Sequence, residues 1–280
     1  MIIKQRNGVS FLELPKLASL SGIRHGVFTR NTGASSGPYR SLNVGFGVGD
    51  DDQNVIQNRE IISRCIQEKD LVFANQVHGS RVMVLAKDNN PSAVPDANVC
   101  FEGEHSEILK NPTGLFDSDS ERKLIVDALV TNIPKKFLVM QVADCQSIFM
   151  HDPVRQVVSN VHSGWRGSIN NIIGRTIKVM ETSFGCLPGD IIAGISPSLG
   201  PCCAEFANYE KEIPETYWKY KDDNDHFDFW SASCDQLCEA GVLIENVDLS
   251  HVCTKCDPDR FFSFRGEGVT GRFATLIGLK

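Results

Sequence analysis

Three short segments each place a metal-capable side chain beside a glycine or a carboxylate at the end of a β-prone run. They are Asn75-Gln76-Val77-His78-Gly79, Ala143-Asp144-Cys145-Gln146 and Val161-His162-Ser163-Gly164-Trp165-Arg166-Gly167. Two imidazoles and one thiolate suit Zn²⁺, which accepts nitrogen and sulfur and in catalytic sites commonly keeps three protein ligands and one open position. Ligands drawn from distant segments favour catalysis over a local clamp. Cys145 and His162 end two successive strand candidates, so pairing of those strands brings them together, while His78 must arrive from elsewhere in the fold. A strand-end cysteine also serves as a small buried hydrophobe and a histidine as a hydrogen-bonding residue, so spacing leaves both readings open.

The elements around these segments are mixed. Gly22 to Arg30 reads as a strand, and Asn31 to Arg40 as a Gly/Ser/Pro surface loop. Val55, Ile56, Arg59, Ile62 and Ile66 fall at helical spacing behind acidic residues, predicting a helix over 54–69. Leu71 to Leu85 is two apolar runs interrupted at 75–81, which puts His78 at a strand end or turn. Residues 87–123 form a polar excursion or lid. Strands are expected over 124–131, 137–150, 156–162 and 191–195. Ile169, Ile172, Ile173, Thr176 and Met180 share a helix face ending before Gly185, residues 231–240 read as a short helix, and the C-terminal FFSFRGEGVTGRFATLIGL as strand, turn, strand. The class is α/β (α+β), with one domain over 1–280.

Composition bounds the function. A net charge of -7 argues against the basic stripe that nucleic-acid binding needs. The N-terminus lacks a signal-peptide core, and no run approaches the roughly 20 apolar residues of a membrane helix, so a soluble cytoplasmic protein is expected. Ten cysteines in such a chain read as reduced thiols rather than a disulfide framework. Cys253-x-x-Cys256 with Cys202-Cys203 also has the makings of a structural zinc site or a redox pair; reduced structural thiols are the expectation. His25 reads as a packing histidine, and His105, His151, His226 and His251 lack supporting context.

Taken with HGVFTR at 25–30, SLNVG at 41–45, DALVT, GPCC at 200–203, FFSFRG and TGR, the three segments resemble the multicopper polyphenol oxidase, or laccase-domain, family, which includes bacterial purine nucleoside phosphorylases and the peptidoglycan editing factor. The motifs run through nearly the whole chain in family order. The resemblance implies a central mixed β-sheet flanked by helices, His78, Cys145 and His162 as metal ligands, and phosphorolysis of adenosine, inosine and methylthioadenosine with some adenosine deamination. Zinc is the expected metal and copper the alternative, with copper polyphenol oxidation or hydrolytic editing of a peptidoglycan precursor as competing activities. A metal-stabilised binding protein is the non-enzymatic alternative. Gln146-Ser147, Ile195-Ser196-Pro197 and the long excursion depart from the family pattern and bear on substrate choice.

Phosphorolysis takes a purine nucleoside and inorganic phosphate, and so needs fixed positive charge. Arg30 and Arg166 are the candidates, with Ser41 and Asn43 as hydrogen-bonding partners. Asp144 could orient a histidine ligand or take a proton, although a strand-end aspartate commonly caps a turn. Either a monomer or a weak homo-oligomer is expected.

Overall fold

The computed structural model describes residues 1–86, 97–101 and 124–280. Its strands are β1 (Ile2–Arg6), β2 (Val9–Glu13), β3 (Ile23–Phe28), β4 (Leu71–Phe73), β5 (Val82–Ala86), β6 (Ala97–Phe101), β7 (Ala128–Thr131), β8 (Phe137–Val142), β9 (Gln146–Asp152), β10 (Val157–Ser163), β11 (Ile192–Ile195), β12 (Val247–Leu249) and β13 (Phe273–Leu279). They form two mixed sheets, ordered β1-β2-β3-β13-β8-β4 and β12-β11-β9-β10-β7-β5-β6. The first is antiparallel except at β4–β8; the second is antiparallel from β11 to β7 and parallel towards both edges.

Period-two alternation sets the layers. In β8, Leu138, Met140 and Val142 pack with Phe149, Val158, Phe273 and Ile277 between the sheets. Phe137 and Val139 lie on the opposite face with Ile62 and Ile66 of the helix Asp52–Ile66. In β10, Val158 faces inward, whereas Val157 and Val161 pack on Ile172, Ile173, Ile177 and Met180 of the helix Ile172–Phe184. The order is helix, sheet, sheet, helix, and each fully buried Leu, Ile or Phe side chain contributes about 1.5–3 kcal/mol. Asp51 and Asn171 cap the two helices by accepting from Gln53 N–H and Gly174 N–H, and Gly185 ends the second at φ 67°.

The mixed α/β class is as expected, but two sheets replace the central one. The apolar run 137–150 is not a single strand: Asp144 adopts φ 91°, and at 143–145 the chain leaves the first sheet and enters the second. Both halves are buried on both faces, and the break falls in the less apolar stretch Ala143-Asp144-Cys145-Gln146-Ser147 between them. The FFSFRG segment is also not a strand, because Phe264–Glu267 is a helical turn whose Ser263 hydroxyl accepts from Gly266 N–H. At the N-terminus, Asn7 (φ 52°) and Gly8 (φ 80°) turn the β1–β2 hairpin.

Most of the polar excursion lies outside the described residues; Ala97–Phe101 within it is an edge strand paired with β5. No helix among the described residues is long and apolar enough to cross a membrane.

Candidate metal centre and its cavity

The β9–β10 ladder pairs Ser147 with His162 and Gln146 with Ser163, which brings Cys145, just before β9, to the end of β10. His78 reaches the same point from the turn after β4, at φ 59°. The histidine rings meet edge to face with centroids 4.9 Å apart, and Cys145 Sγ lies 3.7 Å from His78 Nε2. One ligand atom from each of the three residues falls within 4.8 Å of the others. Gly164 leaves room for this approach, since a Cβ there would sit 3.0 Å from both Cys145 Sγ and His78 Cδ2.

Two features hold the His78 turn. Gln76 pairs with the backbone of Gln141 in β8, donating to its carbonyl at 3.1 Å and accepting its N–H at 2.8 Å. Asp127, fully buried, accepts the N–H groups of Val77 at 3.1 Å and His78 at 2.9 Å on Oδ1, and that of Gly79 at 2.8 Å on Oδ2. The same Oδ1 meets His162 Nδ1 at 2.9 Å. With Nδ1 engaged, Nε2 is the nitrogen His162 has left for Cys145 and a metal. One carboxylate therefore orients two of the three ligands.

Electrostatics follow. Burial pushes the Cys145 thiol up, but the charge of His162 and hydrogen bonds from both histidines outweigh it and bring Cys145 down to about 6. Burial opposes a charged His162, yet the Cys145 and Asp127 charges and hydrogen bonds raise it to about 9. Asp127 is itself held below the usual carboxylate range: burial works against this, and the His162 interaction with the N–H groups of Gly79 and His78 prevails. The two groups thus shift in opposite directions, each favouring the charged form of the other, and a bound cation would take the place of the imidazole proton beside the sulfur. Two nitrogens, one sulfur and a supporting carboxylate fit a divalent metal open on one side.

That open side faces a cavity of about 560 Å³. His78, Cys145 and His162 line it together with Arg166, Arg265, Arg272 and the rings of Phe46, Trp165, Phe206 and Phe264. Arg166 stacks on Trp165, its guanidinium carbon 4.3 Å from the ring centroid. Arg265 Nη1 donates to the carbonyl of Glu205 at 2.7 Å, and Arg272 Nη1 donates to those of Thr270 at 3.0 Å and Gly271 at 2.9 Å.

Of the expected phosphate ligands, Arg166 is in the cavity wall and Arg30 is not. Arg30 donates to Glu267 at 2.8 Å and to the carbonyls of Arg40, Pro258 and Phe261, and stacks on Phe262, so it clamps loops together. The Ser41 hydroxyl closes a turn, accepting from Gly33 N–H and donating to the Arg30 carbonyl. Asn43 is buried behind the wall and acts at one remove, accepting the backbone N–H of Arg272 at 2.8 Å. Asp144 lines the cavity, but its carboxylate accepts Thr254 Oγ1, Ser263 Oγ and Arg265 N–H; the histidine-orienting role belongs to Asp127. Sequence reasoning did not single out Asp127, Gln76, Arg265 and Arg272, which the structure places in or behind the site, although each stands inside a motif, in DALVT, NQVHG, FFSFRG and TGR.

The chain is similar to known proteins over most of its length. The purine nucleoside phosphorylase YlmD of Bacillus subtilis is 29% identical over 276 residues, spanning 91% of this chain and 88% of its own. A purine nucleoside phosphorylase of Bacteroides thetaiotaomicron is 28% identical over 276 residues, 93% of each chain. The crystal structure of YlmD from Geobacillus stearothermophilus superposes with a TM-score of 0.78 at 27% identity, covering 100% of this chain and 99% of that one. The family described as multi-copper polyphenol oxidoreductase laccase matches residues 24–280, more than nine-tenths of the sequence, and the chain belongs to that family.

Proposed function

We propose that the chain is a zinc-dependent purine nucleoside phosphorylase acting on adenosine, inosine and methylthioadenosine. The observation that carries this reading is the convergence on one cavity of the His78, Cys145 and His162 triad, three arginines and several aromatic faces. The three ligands would hold the ion, which when bound supplies a Lewis acid in the cavity wall. Arg166, Arg265 and Arg272 supply fixed positive charge for an incoming phosphate. Trp165, Phe206 and Phe264 offer flat apolar surfaces for a base. Their backbones are fixed before substrate arrives: Asn43 holds that of Arg272 and Asp144 that of Arg265, so positioning of the nucleophile is built into the wall. The relatives' activity as purine nucleoside phosphorylases supports the same reading.

Incubation of the purified protein with adenosine or inosine, with and without phosphate, tests it. Phosphate-dependent release of free base and a pentose phosphate is expected. Absence of product in both conditions, with metal bound, would overturn the reading. Resolving inosine from adenine in the adenosine reaction reads deamination separately, and metal analysis of the same sample distinguishes zinc from copper.

A further inference from the structure

A second cluster lies outside the triad. Strands β11 and β12 run parallel, and their ladder continues past their ends through Ser198 N–H to the Val252 carbonyl at 3.1 Å and Thr254 N–H to the Ser198 carbonyl at 3.0 Å. The two loops therefore leave the sheet side by side, setting Cys202 and Cys203 against Cys253 and Cys256. Cys256 Sγ lies 3.7 Å from Cys202 Sγ and 3.5 Å from Cys203 Sγ, and all four sulfurs fall within 4.8 Å of one another. A tetrahedral zinc with Zn–S bonds of about 2.3 Å has sulfur-to-sulfur edges of about 3.8 Å, whereas a disulfide requires about 2.05 Å.

Two further observations point to coordination rather than packing. Cys202 and Cys256 are exposed and Cys203 is only partly covered, so three of the four thiols fill no core. Cys253 Sγ, the buried member, accepts the backbone N–H of Gly200 at 3.3 Å, which fixes its sulfur towards the other three. Gly200 is needed for this approach, since a Cβ there would lie 2.8 Å from the Trp230 ring and 3.1 Å from Cys253 Cβ.

We propose that Cys202, Cys203, Cys253 and Cys256 form a tetrathiolate zinc site that fixes the wall of the cavity. Coordination forms four Zn–S bonds, and any thiol protons pass to solvent. The cross-linked loops carry cavity groups directly: Ala204 and Phe206 follow Cys203, Arg265 Nη1 donates to the Cys203 and Glu205 carbonyls, and Thr254 donates to Asp144. The ion would act as a structural brace for Arg265, separate from the His-Cys-His centre.

Cys145→Ala removes the thiolate of the first centre and leaves the second intact. The Cys145→Ala protein, prepared under reducing conditions and dialysed against a weak chelator, is expected to retain about one zinc per chain. X-ray absorption should show four sulfur neighbours at about 2.3 Å. Adding Cys202→Ser and Cys256→Ser should abolish that zinc. The proposal is overturned if the Cys145→Ala protein holds no zinc and takes up none when zinc is supplied, or if its zinc is bound mainly by nitrogen and oxygen. A disulfide joining Cys256 to Cys202 or Cys203 in the freshly purified chain, seen by mass spectrometry, also overturns it. The absorption measurement needs only the Cys145→Ala protein, so poor folding of the triple variant leaves the test decisive.

Discussion

Replacing Asp127 by asparagine isolates the carboxylate that orients the metal ligands. Oδ1 serves three donors, the N–H groups of Val77 and His78 and His162 Nδ1, and Oδ2 serves Gly79 N–H. An amide keeps most of these bonds only with its oxygen on the Oδ1 side, which turns its NH₂ against Gly79 N–H. One buried donor is then unpaired, at a cost of about 1–3 kcal/mol. For a chain of this size that lowers the melting temperature of the metal-free protein by roughly 2–10 °C. Loss of the negative charge also loosens the His162 tautomer, and disturbing such a supporting carboxylate typically costs about 10–100-fold in metal affinity, or about 1.4–2.7 kcal/mol. Zinc affinity by competition with a chromophoric chelator, beside thermal denaturation of the metal-free form, measures both effects. Asp144→Asn is the control, because that carboxylate bonds Thr254, Ser263 and Arg265 and neither histidine. An Asp127→Asn protein binding zinc within twofold of wild type, or an Asp144→Asn protein losing as much affinity, would refute the assignment.

Gly164→Ala forces a methyl group against Cys145 and His78 and is expected to weaken metal binding by about 10–100-fold, read by the same titration. Arg272→Lys removes a planar guanidinium from the cavity and should raise the KM for phosphate by roughly 10–100-fold, whereas Arg30→Lys should leave that KM unchanged and lower the melting temperature. His25 supplies a stability prediction. Its Nε2 accepts Leu14 N–H at 2.8 Å, and burial lowers it from 6.5 to about 4. The unfolded chain takes up this proton first, so the contribution is whole above pH 6.5 and is lost between 6.5 and about 4, amounting to about 3 kcal/mol. Urea midpoints across that range should fall less steeply for His25→Gln; an unchanged slope would remove His25 as the cause.

The triad was legible because its residues carry rare chemistry at recognisable places. A histidine before a glycine, a cysteine after an aspartate and a histidine before Ser-Gly-Trp-Arg stand out. Asp127 was not, since an aspartate at the head of an apolar strand reads as a turn residue until the backbone shows four donors converging on it. Arg30 shows the opposite limit: a conspicuous arginine beside a glycine-rich loop bonds carbonyls and Glu267 rather than lining the cavity. Arg265 and Arg272 reach the cavity only through the helical turn and the final strand, and that tertiary placement has no local signature. The layers show the same limit. The helices over 52–66 and 172–184 follow from periodicity and caps, but the division into two sheets turns on one left-handed residue, Asp144, in a short polar interruption whose change of sheet no local pattern states.

The crossing at 143–145 also makes the centre a joint between two bodies. His78 comes from the turn that links β4 of the first sheet to β5 of the second, Cys145 from the β8–β9 link that makes the same crossing, and His162 from β10 of the second sheet. A metal bound there would rivet the layers together, and any slippage of one against the other would be felt first as altered ligand geometry. Activity should therefore respond to substitutions as remote as Met140, Phe149 and Phe273, whose packing sets that offset. Altering substrate preference without disturbing the rivet means changing the arginine and aromatic rim and leaving the interior untouched.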